Sequence, residues 1–334
     1  MLRESQVPLV TTHDLVMLDL DGVVYVGDQP VDDVPDVLER VRAGGVSCAF
    51  VTNNASRTPA EVAARLEGMG VRAAEQDVVT SAQAAASVLA ARWGTGARVL
   101  TLGGPGLHGA LVAAGLEPLT APDGTEVALA TGYGPEVLWR DVMRAAVAVR
   151  DGLPWVASNT DLSIPTPYGR APGHGVLVRT IADFAGVEPV VAGKPEAPLL
   201  EETVRRVGGT APLMVGDRLD TDILGAARLG LPSLLVLTGV SGIPEVVGAP
   251  ADQRPSYVSP TMRGLLEPHP GPSVAPDGEA ACGGWTARVR DGDLEVTGTG
   301  AVADWWRAVA AAGWAFLDST GEAAGTGRLC APAS

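Results

Sequence analysis

The sequence predicts an α/β protein. It should have a Rossmann-like parallel sheet, a second α/β domain inserted into the first, and a small α+β module at the C-terminus. Three observations predict this. Short apolar runs alternate with helix-period segments from Leu15 to Leu266, and that alternation implies parallel strands covered by helices on both faces. The units are too many for one sheet with short loops in a chain of 334 residues, which calls for an insertion. After the Pro-rich stretch Glu267–Asp277 (EPHPGPSVAPD) the rhythm changes to a hairpin and a helix.

The elements follow in order. LVMLDL (Leu15–Leu20) is a short strand of the buried type, and VPDVLERV (Val34–Val41) is a helix that closes on Gly44-Gly45. VSCAFVTN (Val46–Asn53) is the next strand. Thr58-Pro59 opens a helix in the favoured N-cap and N1 order, continued by AEVAARL. RVLTLG, EVALATG, PWVASN, PLMVGD and PSLLVLTG are further strands, with helices between them. Beyond the linker, WTARV and LEVTG flank the turn residues Asp291-Gly292-Asp293 and read as a hairpin. AVADWWRAVAAA (Ala301–Ala312) is helical and WAFLDS is a last strand, giving a ββαβ unit. Four of the seven tryptophans (Trp285, Trp305, Trp306 and Trp314) lie there, and an aromatic core for a small module is favoured over a ligand box.

Composition narrows the function classes. With 46% hydrophobic and 19% charged residues the chain can bury a sizeable core and is not disordered. A net charge of -15 repels phosphate backbones and anionic lipid, so no nucleic acid and no membrane is expected as partner. No apolar run approaches the ~20 residues of a membrane helix. The N-terminal MLRESQVPLVTTHD has no basic start followed by an apolar stretch, so no signal peptide is expected. Cys48, Cys282 and Cys330 make no C-x-x-C pair and no disulfide framework, which makes the cytoplasm the expected compartment. Cys48, inside a strand, reads as a small buried hydrophobe.

The basic residues add a sharper clue. Of 24 Lys and Arg, one alone is lysine, Lys194. An ammonium is a compact point charge on a flexible stem, where guanidinium is a wide planar fork.

In open parallel sheets, ligands gather outside the carboxyl ends of the strands. Those ends carry Asp19-Leu20-Asp21-Gly22, Thr52-Asn53-Asn54, Gly193-Lys194-Pro195 and Gly216-Asp217-Arg218-Leu219-Asp220-Thr221-Asp222. Asp19 and Asp21 share one side of an extended chain, because side chains alternate with period 2. A third acid from Asp217 makes a cluster that repels itself unless a cation neutralises it, and hard oxygen ligands select Mg2+. With Thr52 and Lys194 as donors for an anion, phosphoryl transfer fits. An aspartate can attack phosphorus, and a second carboxylate can serve the leaving oxygen and then water.

The ordered motifs D-x-D-G-V, T-N-N, G-K-P and G-D-x4-D resemble those of the haloacid dehalogenase superfamily of phosphatases. The long insert between T-N-N and G-K-P, with PTPYGRAPGHG inside it, resembles the subgroup with a C2-type α/β cap. That subgroup holds the NagD-like, 4-nitrophenylphosphatase and phosphoglycolate or glycerol-phosphate phosphatases. The resemblance covers Asp14 to Leu266. It implies a core of residues 1–81 and 188–266 and a cap of 82–187; the Pro-rich stretch adds a linker of 267–277 and the changed rhythm after it a C-terminal module of 278–334.

The resemblance also implies roles. Asp19 is nucleophile and Mg2+ ligand. Asp21 is the general acid and base and binds the metal through its backbone carbonyl. Asp217 is the other carboxylate ligand, and Asp222 sits behind, ordering lysine or metal-bound water. Thr52 and the amide of Asn53 hold the phosphate, and Lys194 pairs with it and with Asp19. Val23-Val24 and Tyr25 continue the loop toward the cap. Asp220 reads as a solvated loop acid, with a second role beside the metal left open. In the cap, Asn159 and Asp161 of Ser158-Asn159-Thr160-Asp161 face the substrate. His174 of Gly173-His174-Gly175 is either a substrate contact or a residue of the first helical turn facing solvent. Relatives often carry an acid or a large residue where this chain has Gly132 or Gly134. Gly103-Gly104-Pro105-Gly106 is a tight turn before a helix rather than a phosphate loop.

The expected function is a Mg2+-dependent phosphomonoesterase for a small phosphate ester, with glycerol 3-phosphate first and phosphoglycolate second, both on the resemblance. The alternatives are a phosphotransferase or mutase, a metal-free dehalogenase, which Asp21 and Asp217 oppose, and a non-catalytic ligand-binding or regulatory protein. A homodimer stays open. The tail from about Ala275 is expected to be dispensable for chemistry, since every motif precedes it.

Overall fold

The structure, a computed structural model, describes residues 1–166 and 168–332. Pro167, inside PTPYGRAPGHG, and Ala333-Ser334, at the end of the expected C-terminal module, lie outside the described residues. The chain forms two compact units, residues 1–48 with 209–334, and residues 49–208. No helix among the described residues is long and apolar enough to cross a membrane.

A six-stranded sheet has the order Tyr257–Ser259, Ser233–Val236, Pro212–Gly216, Leu15–Leu18, Ser47–Thr52, Val78–Thr80. Leu15 pairs in parallel with Pro212, Met214 with Ser233, Leu234 with Tyr257 and Phe50 with Val78. Leu15–Leu18 is buried throughout, as an apolar strand covered on both faces must be. The chain adds strands first to one side of Leu15–Leu18 and later to the other. Asp19 therefore stands at the switch point, where open α/β sheets bind ligands. The helix Val34–Ala43 buries Val34, Val37, Leu38 and Val41, one stripe at helical spacing. The helix Pro59–Gly68 starts at Thr58, whose side chain and that of Glu61 cap each other's backbone.

The second unit holds a five-stranded parallel sheet in the order Val190–Val191, Trp155–Ala157, Ala128–Thr131, Arg98–Leu102, Glu117–Leu119. The helices Trp139–Arg150 and His174–Ala185 cover it through Val142, Ala145, Val149, Val178 and Ile181. Val190–Val191 pairs with Val156-Ala157, so this sheet runs past Val187. An antiparallel pair, Ser163–Thr166 with Gly169–Pro172, lies beside these strands in sequence.

The tail departs from the sequence reading in three ways. The hairpin is present, Trp285–Arg290 with Asp293–Gly298, across a two-residue loop with Asp291 at φ 53° and Gly292 at φ 85°. Positive φ at both loop positions is what this tight turn needs. The supposed linker, however, contributes the strand Ser273–Val274, which pairs with Ala280-Ala281 and makes a four-stranded antiparallel sheet. The expected last strand WAFLDS is instead the second half of one helix, Val302–Thr320, ended by Gly321 at φ 79°. Gly313 does not stop this helix. It lies where the helix passes so close to Val247 that a Cβ would stand 2.9 Å from Val247 Cγ1. The tail is no free-standing module either. Trp305, Trp306 and Trp314 share one buried cluster with Leu219, Ile223, Leu235, Val246 and Val258 of the six-stranded layer.

Candidate active site

In the first unit, three carboxylates converge. Oxygens of Asp19, Asp217 and Asp222 all lie within 4.8 Å of one another. Asp19 follows the central strand and still joins its ladder, N–H to Val215 O at 3.0 Å. Asp217 follows Pro212–Gly216, and Asp222 lies in the π-helical turn Leu219–Ile223; both are fully buried. The Arg218 N–H donates to Asp222 Oδ2 at 3.2 Å.

Asp217 is gripped by backbone. The Val240 N–H donates to Asp217 Oδ2 at 2.7 Å, and the Ser241 N–H to Asp217 O at 3.1 Å. Gly22, at φ 86°, and Gly239 press on the same carboxylate: a Cβ on either would come within 2.4 Å or 1.9 Å of Asp217 Oδ2. Only glycine tolerates that approach, and at Gly22 only glycine adopts that backbone freely. Thr238 Oγ1 donates to Gly22 O at 2.6 Å and closes the loop.

Asp222, placed behind the metal by the sequence reading, joins the carboxylate group itself. The Asp21 side chain does not; it is exposed. Its residue starts the small hairpin Tyr25–Val26 with Gln29–Pro30, through Gly22 N–H to Tyr25 O at 2.8 Å. Asp220 is a solvated acid held bidentately by Arg218 at 3.0 and 2.8 Å.

In the second unit, Asn53 is the organising residue. Its Oδ1 accepts from the Lys194 N–H at 2.9 Å, and its Nδ2 donates to Lys194 O at 3.0 Å. One side-chain amide thus pairs with the lysine's backbone as a second strand would. Asn53 Nδ2 also donates to Asp161 Oδ1 at 3.2 Å. Asn53 O accepts from Ser81 Oγ and from Asn159 Nδ2, both at 2.6 Å. Asn159 Oδ1 accepts from the Asp161 N–H at 3.1 Å. Asn159 and Asp161, expected to face substrate, are therefore also the braces of Asn53. Thr52 Oγ1 accepts from the Asn54 N–H at 3.1 Å. Lys194 is buried, with Nζ 3.3 Å from Val51 O.

His174 does not face solvent. It is buried, with Nε2 3.2 Å from Thr131 Oγ1, which also accepts from Trp155 Nε1 at 3.0 Å. Burial pushes its pKa down to about 4, so the ring is neutral. His269, buried in the first unit, is likewise lowered to about 4 by burial. A histidine lowered in the fold takes up its proton in the unfolded chain first. Stability is thus intact above the ordinary pKa of ~6.5 and falls as pH drops from there toward 4, by at most ~1.4 kcal/mol per pH unit per histidine. Urea melts at pH 7 and pH 5 should show the loss, and His174→Asn should make the dependence shallower.

The departure at Gly134 has a packing cause. A Cβ there would stand 2.8 Å from Gly103 C and Gly104 N, the turn before the helix Pro105–Ala113. The sequence reading missed Thr238, Gly239 and Val240. The signal available was their place at the carboxyl end of PSLLVLTG, the rule that found the other loops.

Comparison with known proteins identifies the family. A family model described as haloacid dehalogenase-like hydrolase matches residues 16–117, and a second HAD-like hydrolase model matches 191–265. The D-glycerol 3-phosphate phosphatase of Mycobacterium tuberculosis is 42% identical over 292 residues, 87% of this chain and 80% of that protein. A crystal structure of glycerol phosphate phosphatase from that organism, in complex with magnesium, has a TM-score of 0.84 at 40% identity over 92% of each chain. A 4-nitrophenylphosphatase from Thermotoga maritima has a TM-score of 0.71 at 27% identity, over 77% of this chain and 98% of that one. Carboxylates at the switch point, ordered motifs and these relatives lead to one assignment: the chain belongs to the haloacid dehalogenase-like hydrolases and is a phosphatase of their subfamily IIA.

Proposed function

We propose that the chain is a Mg2+-dependent phosphomonoesterase that hydrolyses glycerol 3-phosphate in the cytoplasm through an aspartyl phosphate on Asp19. The observation that supports this best is the convergence of Asp19, Asp217 and Asp222. Three carboxylate oxygens are a hard donor set that fits Mg2+ and disfavours thiophilic metals. Asp19, Asp217 and Asp222 would hold the ion, with the backbone carbonyl of Asp21. Bound Mg2+ supplies positive charge for the phosphoryl oxygens.

The chain's own residues do the rest. An Asp19 oxygen attacks phosphorus as the ester P–O bond breaks, and Asp21 gives its proton to the leaving alkoxide. The Asp21 carboxylate then takes a proton from the water that attacks the aspartyl phosphate, which releases phosphate and restores Asp19. An exposed side chain suits Asp21 for this exchange. Thr52, the main-chain amide of Asn53 and Lys194 hold the phosphate. Asn159 and Asp161 keep Asn53, and through it Lys194, in place. Domain roles follow: residues 1–81 and 188–266 form the catalytic core and 82–187 the cap, except that Val190–Val191 completes the cap's sheet. Glycerol 3-phosphate ranks above phosphoglycolate because the relative that is 42% identical is named for it.

A panel of phosphate esters tests the reading. Glycerol 3-phosphate should give the highest kcat/KM with Mg2+, and EDTA should abolish phosphate release. Ca2+, which takes 6–8 ligands at longer distances and accepts bidentate carboxylates, should compete with Mg2+ and inhibit. Full activity in EDTA would overturn the metal assignment, and a higher kcat/KM for phosphoglycolate would reverse the substrate ranking.

A further inference from the structure

The loop that grips Asp217 is held on one side by Thr238 Oγ1, which donates to Gly22 O at 2.6 Å. It leads into a helix of five residues, Ile243–Val247, too short to hold its place without packing. The tail helix Val302–Thr320 supplies that packing. Trp314, buried, donates from Nε1 to Val246 O at 2.7 Å. One residue earlier, Gly313 lets the two helices approach until Val247 fills the space where a Cβ would be. The Arg254 guanidinium lies 5.3 Å from the Trp314 ring centroid and bonds Asp318 bidentately at 2.8 and 2.6 Å, which fixes the far end of the tail helix. Leu219 and Ile223 of the turn that carries Asp222 pack into the same cluster as the tail tryptophans.

We propose that the tail helix is a positioning element for the metal carboxylates. Through Trp314 and Gly313 it sets the short helix, the short helix sets the Thr238–Ser241 backbone, and that backbone sets the Asp217 carboxylate. The tail is then not dispensable for chemistry, contrary to what the order of motifs along the chain suggests. The proposal rests on the reading of Asp217 as a metal ligand. Groups that orient a ligand typically change metal affinity by ~10–100-fold when removed. The tail acts one step further out, so a smaller effect of roughly 5- to 10-fold is expected.

The test is Mg2+ titration of the full-length protein by calorimetry, with kcat and KM measured at saturating Mg2+. Trp314→Phe removes the hydrogen bond and keeps an aromatic ring. Gly313→Ala favours the helix intrinsically yet pushes on Val247. Both should stay folded, raise the Mg2+ Kd by about 5-fold or more, and leave the substrate KM within twofold. Leu294→Ala, in the tail sheet and equally buried, should lower the melting temperature and leave the Mg2+ Kd unchanged. Unchanged Mg2+ affinity in Trp314→Phe and Gly313→Ala would overturn the proposal. So would equal weakening in Leu294→Ala, because the effect would then be general loosening. Asp217→Asn separates the two layers. If it does not weaken Mg2+ binding, the ligand reading fails; if it does and the tail variants do not, the tail's role alone fails.

Discussion

Asp19→Asn should abolish turnover while leaving the fold intact. The substitution keeps the shape of the side chain and removes both its nucleophilicity and one charge of the Asp19, Asp217 and Asp222 group. An amide cannot form the aspartyl phosphate, so the loss should be at least ~10^4-fold in kcat, about 5.5 kcal/mol of transition-state stabilisation. The variant carries a second signature. Three carboxylates within 4.8 Å repel one another without a cation. Removing one charge should therefore raise the melting temperature of the metal-free protein. It should also shrink the stabilisation that Mg2+ gives, which for a site binding only the folded state is about 2.7 kcal/mol at 100 times Kd. Phosphate release and thermal melts with and without Mg2+ measure both. Retained turnover would remove Asp19 from the role of nucleophile. An unchanged metal-induced shift would remove it from the ligand set.

The strand ends were legible because their chemistry is written in side chains. Asp19 and Asp217 each follow an apolar run, and in a parallel sheet such ends share one edge, where their oxygens and those of Asp222 lie within 4.8 Å of one another. What holds those groups was not legible. The grip on Asp217 is made by the backbone N–H groups of Val240 and Ser241, and backbone donors leave no mark on residue type. Asn53 reads as a phosphate contact from its motif; the pairing of its side chain with the Lys194 backbone spans 141 positions and needs the folded chain. His174 sits beside a glycine at a helix start, which reads as surface. Its burial depends on Thr131 and Trp155, far away in sequence.

The shortest elements escaped for a different reason. Val78–Thr80, Tyr257–Ser259 and Val190–Val191 are strands of two or three residues at or near sheet edges, too short to show a period. In the tail, the sequence pattern ends the helix at Ala312 and makes the proline-rich stretch a linker. Tertiary packing overrides both. Gly313 serves close approach to Val247, and the proline-rich segment contains His269, buried with Nε2 2.8 Å from Gly264 O and Nδ1 3.1 Å from Arg307.

Lys194→Arg should lose at least ~100-fold in kcat with the protein still folded. Composition first raises the question, since every other basic residue is arginine. The structure makes the argument steric. Lys194 is 2% exposed, its backbone is clamped on both sides by the Asn53 amide, and its Nζ lies 3.3 Å from Val51 O. The main chain therefore cannot retreat to make room for a longer side chain. A guanidinium is planar, spreads its charge over a fork and needs several acceptors in its plane, where an ammonium needs a small polar pocket. Forced into the same space, the fork must displace its own head group or its neighbours by about 1 Å, and a misplacement of that size at reacting atoms costs on the order of 100-fold. The loss should fall on kcat and on phosphate affinity together, because the same charge serves ground state and transition state. Lys194→Met, which keeps the stem and deletes the charge, should lose more in turnover than the arginine variant, with a similar melting temperature. Near wild-type turnover in Lys194→Arg would mean that position 194 needs only a positive charge, and the steric argument would fall.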